Sequence, residues 1–316
     1  MREIIIKKND ANQCLDKFLT KRFKTMPKSL LYKYIRTKYI KVNNKKCMID
    51  TVLQEGDILK LFIKEEFFEE ETENYEFLKA PKTLDILYED DNIIIVNKKA
   101  GVIVHPDKNY HFDSLIARIL HYLYDKGEYS PKDENSFTPA LVNRIDRNTG
   151  GIVMACKNAE SLRTLNEKIK NREVTKMYLC IVQGILKQKS GTLSGYLWKD
   201  EKKNKVRIFQ KEVPDSKFFR TEYRVVEVIK GNTLVEINLL TGRTHQIRAC
   251  MSAIGYPLLG DTKYGYHKKQ NDRYPYQTLY AYKVIFDFQS DGGVLEYLRN
   301  KSFTVDTEDI WFLQGK

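Results

Sequence analysis

The stretch Asn143-Arg144-Ile145-Asp146-Arg147-Asn148-Thr149-Gly150-Gly151 runs straight into Ile152-Val153-Met154-Ala155-Cys156. The second half is apolar throughout and reads as a strand buried in a sheet. The first half ends in a tight-turn sequence and sets one carboxylate, Asp146, between two guanidinium groups, Arg144 and Arg147. An acid flanked by arginines on a glycine-rich turn beside a sheet is a candidate reactive carboxylate. The arginines point to a polyanionic substrate. Taken alone, the cluster reads first as a structural ion pair that pins a turn, because such networks perturb carboxylates without any catalysis.

The segments around this strand set the fold class. Leu84 to Asn92 reads as a strand ending in a polar turn, and Ile93 to Lys98 reads as its hairpin partner,. Asp113 to Tyr124 has Leu115, Ile116, Ile119, Leu120 and Leu123 on one helical face, with Asp113-Ser114 as a cap,. Ala159 to Lys170 is a second helix, and Met177 to Val182, Phe219 to Ile229 and Leu234 to Leu240 are strands. The expectation is an α+β body: a mixed, mostly antiparallel sheet with a few helices.

Charge divides the chain further. Among 316 residues the net charge is +12, which calls for an anionic partner, with nucleic acid ahead of a membrane surface,. Lys17 to Lys46 holds eleven basic residues and no acidic one, whereas Glu65 to Glu76 holds seven acidic residues and no basic one. Residues 1–64 carry net +10. The division expected is a basic RNA-binding module over 1–64, an acidic linker over 65–82 and a body over 83–316. Within the module, Cys14 to Leu19 and Leu30 to Ile35 have helical spacing, while Tyr39 to Val42 and Ile58 to Ile63 look like strands,. No long apolar run is present, so a soluble, cytoplasmic protein without membrane contact is expected; a monomer is also expected. The five cysteines lack CxxC spacing and the five histidines lack paired spacing, so no metal is implied.

A second constellation follows the strand at 234–240. Thr241-Gly242-Arg243-Thr244-His245-Gln246-Ile247-Arg248 leads into an expected helix, Ala249 to Ile254, with Thr241 or Thr244 as a candidate cap. Helix-start N–H groups favour anions. His245 reads as a loop-orienting or phosphate-binding residue before a general base. Arg248 reads either as the partner of a distant carboxylate, with Asp146 the candidate, or as a phosphate contact only. Tyr178 follows the basic stretch Lys168 to Lys176. It reads equally as a ring that stacks on a base and as a core aromatic.

Together these motifs resemble the RluA-type pseudouridine synthases. The resemblance rests on Ile86 to Asp90 with Val96-Asn97-Lys98 and His105-Pro106, on Arg144 to Gly151, on Lys176-x-Tyr178, and on Thr241 to Arg248 with Gly260-Asp261 and Tyr264-Gly265 downstream. Residues 12–63 are similar to the small RNA-binding module named after a ribosomal small-subunit protein. Asn143, Ile145, Gly150 and Lys99 stand where the family usually has histidine, leucine, serine and proline. The resemblance implies an enzyme that detaches uracil from its ribose, rotates it and rejoins it through carbon 5, most often in large-subunit ribosomal RNA. It implies Asp146 as the catalytic carboxylate, either as nucleophile or as the base that removes a sugar proton. It also implies Arg248 as the partner of Asp146, Tyr178 as the ring stacked on uracil, and Arg144 as the group that fills the space of a flipped nucleotide. Arg147, Lys176, Arg243, His245 and Gln246 are expected to touch RNA, and no cofactor is implied. Two rivals are a non-catalytic RNA-binding or ribosome-assembly protein and a synthase for transfer RNA. A glycoside hydrolase fits less well, since no second acid accompanies Asp146.

Overall fold

Residues 1–68, 75–106, 112–267 and 273–314 are described by a computed structural model of the chain. Of the acidic stretch expected as a linker, residues 69–74 lie outside the described residues. The N-terminal part builds its own layer. β1 (Arg2–Ile5), α1 (Leu15–Arg22), α2 (Lys28–Arg36), β2 (Ile40–Val42), β3 (Lys45–Lys46) and β4 (Ile58–Leu61) form a four-stranded sheet, β1-β4-β2-β3, under two helices. Helical spacing turns Leu15, Phe18, Leu19, Leu31 and Ile35 onto Ile40, Leu59 and Leu61,. Asn43 and Asn44 adopt φ of +50° and +62° between β2 and β3, a conformation that asparagine tolerates in a two-residue hairpin turn. Phe68 is buried in the same cluster, so this core reaches beyond residue 64.

A polar seam joins this head to the body. The buried Asp10 carboxylate accepts from Asn135 Nδ2 and Ser136 Oγ, both at 2.7 Å. Asn9 Nδ2 donates to Glu134 Oε1 at 2.8 Å, and its Oδ1 accepts from the Ala159 N–H at 3.1 Å.

The body comprises β5 (Ile86–Glu89), β6 (Ile93–Lys98), α3 (Leu115–Asp125), β7 (Ala140–Leu141), β8 (Gly150–Cys156), α4 (Ala159–Lys170), β9 (Val174–Val182), β10 (Ser190–Asp200), β11 (Lys205–Phe209), β12 (Lys217–Ile229), β13 (Asn232–Leu239), α5 (Gln246–Ala253), β14 (Leu279–Phe286) and β15 (Ser302–Thr304). Its sheet runs β11-β10-β12-β13-β9-β14-β8-β6-β5, with β15 on β14 and β7 on β8. Among the described residues the β14–β8 pair is parallel and every other ladder is antiparallel. This is the α+β, mostly antiparallel architecture that the sequence implies.

The run Ile93-Ile94-Ile95-Val96 shows why the sheet's centre is apolar without alternation: both of its faces are covered. Ile94 and Val96 belong to one apolar cluster that also holds Leu115, Ile119 and Leu123 of α3 and Ile247 and Met251 of α5. Ile93 and Ile95 point to Leu165 of α4 and to Leu295, Leu298 and Phe312 near the C-terminus. Ser114 and Asn158 cap α3 and α4 by accepting from the N–H groups of Ala117 and Ser161,.

One row of residues sets the level at which the site forms. Register pairs Ile237 with Tyr178, Tyr178 with Ala281, Ala281 with Gly151, and Gly151 with Lys98. Tyr178, the turn that precedes Gly151, and Lys98 therefore sit side by side across four strands. Gly151 has φ of +113°, and a Cβ there would lie 2.2 Å from the Ala281 carbonyl oxygen. Gly151→Ala is expected to destabilise the protein by more than about 3 kcal/mol through backbone strain and the shift forced on β14. Denaturant unfolding measures this, and a loss below about 1 kcal/mol would contradict it.

Candidate active site

The turn 143–149 enters β8, the segment 241–245 leaves β13, and the two meet over β9 to enclose a cleft of about 830 Å³. Asp146 is the one acidic residue among the described residues that line it, whereas His105, Arg144, Lys170, Arg172, Lys176 and Arg248 supply cationic or basic groups. A concave site with a single carboxylate in a basic wall suits a polyanion that reacts at one point.

Asp146 sits about one-quarter exposed at the cleft wall, its side chain at 27 %. The Arg248 Nη1 donates to its Oδ2 at 2.7 Å. The other edge of the same guanidinium is bidentate to Asp261, Nε to Oδ2 at 2.7 Å and Nη2 to Oδ1 at 2.8 Å. Asp261 is buried. Burial opposes the Arg248 charge, but the two carboxylates more than offset it and raise its pKa above the usual arginine value. A planar fork is the one side chain that can bridge two acids this way. Sequence reading missed Asp261 as a partner; its position after Gly260, at φ +75° in a sharp turn, was the available signal.

His245 occupies the N-cap of α5 in a left-handed conformation, φ +52°, without a capping side-chain bond. This corrects the expected cap at Thr241 or Thr244 and starts the helix at Gln246, three residues before the expected Ala249. The cost of a left-handed non-glycine residue is met by two contacts. His245 Nδ1 lies 2.8 Å from the Tyr264 hydroxyl, and Nε2 lies 3.8 Å from Asp146 Oδ2. The same hydroxyl accepts from the Val206 N–H at 2.9 Å. Burial chiefly, then Arg248 and Lys263 against the opposing pull of Asp146 and Asp261, lowers the pKa of His245 from 6.5 to about 4.

The sign of the resulting pH dependence is fixed. Between pH 6.5 and about 4 the unfolded chain binds this proton and the folded chain does not, so stability falls as pH falls,. The loss is expected to be on the order of 2–3 kcal/mol between pH 7 and pH 4.5. His245→Gln should flatten this part of a pH series of denaturant midpoints; an unchanged slope would contradict the assignment.

Tyr178 lies on the cleft floor, 5 % exposed. Burial first, then Asp146, raises its pKa and keeps it a neutral phenol. Lys98, a residue the sequence reading gave no role, donates to the carbonyls of Lys99, Val102 and Arg147 at 3.0, 2.8 and 2.9 Å. Burial pulls its pKa down to about 7, against Asp146. Three carbonyl acceptors nevertheless require three N–H donors, so the geometry holds the ammonium form under the Asp146 turn.

The remaining residues expected to touch RNA fall into two groups. Arg144, Lys176 and Arg243 line the cleft, with Arg144 and Arg243 exposed. Burial lowers the pKa of Lys176. Gln246 corrects the expectation: it is 1 % exposed. Its amide donates to the Arg220 carbonyl and Thr221 Oγ1 and accepts from the Arg243 N–H and Thr241 Oγ1. It therefore ties the turn together and has no free edge for RNA. Arg147 also departs from the cleft; its Nε donates to the Gly101 carbonyl.

Two of the unusual residues have local reasons. Asn143 Oδ1 accepts from the Met154 N–H at 2.8 Å and Nδ2 donates to the Ile152 carbonyl at 3.2 Å, so the side chain extends the β8 ladder. A Cβ on Gly150 would lie 2.4 Å from the Tyr280 ring. That ring is fixed through its hydroxyl, which donates to Asn97 Oδ1 at 2.6 Å.

Comparison with known proteins agrees with this geometry. The family model described as RNA pseudouridylate synthase matches residues 92–253, from β6 through α5. The chain is 34 % identical over 310 residues to an "Uncharacterized RNA pseudouridine synthase" of Mycoplasma capricolum, covering 95 % of this chain and 96 % of that one. It is 31 % identical to the "Ribosomal large subunit pseudouridine synthase C" of Vibrio parahaemolyticus, covering 81 % of this chain and 77 % of the relative. Among solved structures, human RNA Pseudouridylate Synthase Domain Containing 4 shares the fold, with a TM-score of 0.56, 20 % identity and coverage of 72 % of this chain and 90 % of that chain. With matches that span both the sheet and the cleft, the chain belongs to the RNA pseudouridylate synthase family and is an isomerase of the pseudouridine synthase type.

Proposed function

We propose that the protein converts uridine to pseudouridine in large-subunit ribosomal RNA, with Asp146 as the catalytic carboxylate. The observation that carries this reading is the one acid among the described lining residues, joined to Arg248 at 2.7 Å, in a cleft whose other described charged lining residues are basic. The relative from Vibrio parahaemolyticus, named for the ribosomal large subunit, supports the choice of RNA. So does the net +10 of residues 1–64, a charge density suited to phosphate contacts,. On this reading the activity is cytoplasmic.

In this reading the target nucleotide leaves its stack and enters over Tyr178, and Arg144 at the exposed rim takes the vacated space. The bond from uracil N1 to the ribose C1′ breaks, and the positive charge that develops on the sugar meets the Asp146 carboxylate. N1 keeps the electron pair of the broken bond, the base rotates, C5 bonds to C1′, the hydrogen on C5 leaves as a proton and N1 takes one up, so the product is an isomer of the substrate. Arg248 and Asp261 fix the carboxylate's position, and the neutral His245 limits repulsion beside Arg248. The direct test is incubation with ribosomal RNA carrying tritium at carbon 5 of uridine. Tritium should pass to water in proportion to pseudouridine formed. Absence of release from ribosomal RNA, with release from transfer RNA, would move the substrate assignment; absence from both would overturn the reading.

A further inference from the structure

Three strands at one edge of the body sheet carry a face that the core does not use. Leu197 of β10, Val206 of β11 and Phe219 of β12 are buried with Ala249, Cys250 and Tyr264. Side chains alternate along a strand, so Tyr196, Trp198, Arg207, Phe218 and Arg220 fall on the opposite face. Register sets Tyr196 between Phe209 of β11 and Phe218 of β12, and sets Trp198 beside Arg207. Three rings thus form one row across three strands, with a fourth ring and an arginine in the next row. The Tyr196 and Phe218 rings meet edge to face, with centroids 5.8 Å apart. None of the four rings belongs to an apolar cluster of the described residues. Phe218 is 44 % exposed and the other three are half-buried. Rings gathered in one water-facing patch mark a surface for binding.

Charge and position indicate the ligand. Residues 196–220 hold eight basic and four acidic groups, a net of +4. Arg207 is exposed. Arg220 pairs with Glu222 only at 3.8 Å, with both side chains open to water, a weak contact that a phosphate can replace. The face also adjoins the Asp146 cleft. Arg243, which lines that cleft, donates from Nε to the Phe218 carbonyl at 3.1 Å. Thr241, another lining residue, accepts through Oγ1 from the Arg220 N–H at 2.9 Å.

We propose that the outer face of β10, β11 and β12 is a stacking platform for unpaired nucleotides that flank the target uridine. The inference rests on the reading that the substrate is RNA. A sheet face with rings in register takes about two or three bases. The rings accept a base face whatever its sequence, while Arg207 and Arg220 meet the adjoining phosphates. The strand then passes from the platform over Arg243 into the cleft.

Tryptophan fluorescence tests this directly. The chain has two tryptophans, Trp198 and Trp311, and the Trp311 Nε1 is inaccessible to solvent. The full chain is titrated with an oligouridylate about 12 nucleotides long. Fluorescence should fall as RNA binds, and the fall should vanish in Trp198→Phe. Phe218→Leu, which keeps apolar bulk and removes a ring, should weaken binding by about tenfold. Arg207→Gln should reduce the slope of log affinity against log salt by about 0.7. Should Phe218→Leu lower the melting temperature, Tyr196→Leu must meet the same criterion. No fall on adding RNA, an equal fall in Trp198→Phe, or unchanged affinity in the leucine variants would overturn the inference. So would a fall produced by raising protein concentration alone, with a dimer in sedimentation, which would give this face to a second copy of the chain. Tritium release from ribosomal RNA by the same preparation separates the two readings. Release without the Trp198 signal overturns the platform alone; the Trp198 signal without release from any RNA overturns the proposed function and leaves the platform.

Discussion

Asp146→Asn is expected to lower tritium release from carbon-5-labelled uridine by about 10⁴-fold or more, with RNA affinity changed by less than about threefold. The substitution keeps shape and still offers Arg248 Nη1 an oxygen at the 2.7 Å contact, so the turn and the cleft should persist. What disappears is the only negative charge among the described lining residues. Whether that charge attacks the sugar, removes a sugar proton or faces the developing cation, an amide does none of these. Removing an acid from a basic cleft also cannot weaken attraction for a polyanion. A variant within about tenfold of the wild-type rate would leave Asp146 a structural ion pair.

The next largest effect is expected at Arg248, and there two consequences separate. Arg248→Met leaves the buried Asp261 carboxylate without its bidentate partner. Breaking a buried pair from one side costs about 3–5 kcal/mol. It also releases Asp146, and the reaction rate should fall by about 10²–10³-fold. Adding Asp261→Asn removes the stranded charge, so the double variant should regain most of the stability and none of the rate. Arg248→Lys, a point charge without a fork, should hold one carboxylate and lose the other. Equal recovery of stability and rate in the double variant would mean that Arg248 acts on the fold alone.

Some of this was written plainly in the chain. Ile93 to Lys98 and Ala159 to Lys170 occupy the ranges expected for them, because an unbroken apolar run and an Asn158 cap are local signals. β10 and β14 were not anticipated. β10 carries two glycines and exposes much of one face, so its alternation is weak. The parallel seat of β14 against β8, which requires a glycine at 151, is a long-range pairing with no local mark. Asp146 and Arg248 stood out through composition and family likeness, since a lone acid among arginines and an arginine after an anion-suited turn are both visible in one dimension. Asp261 and the Tyr264 hydroxyl did not, because each acts through a bond across a turn that only folding closes. Gln246 shows the opposite error: a polar residue in a basic motif read as a ligand contact, while the fold uses all of its amide internally.

The most direct measurement is a pseudouridine map of large-subunit ribosomal RNA from three strains: wild type, one lacking this protein, and one with only Asp146→Asn. At least one pseudouridine should be absent from the second and third maps and present in the first. An identical map in all three, or a full map restored by the asparagine variant, would contradict the assignment of Asp146 as the residue that makes pseudouridine in that RNA.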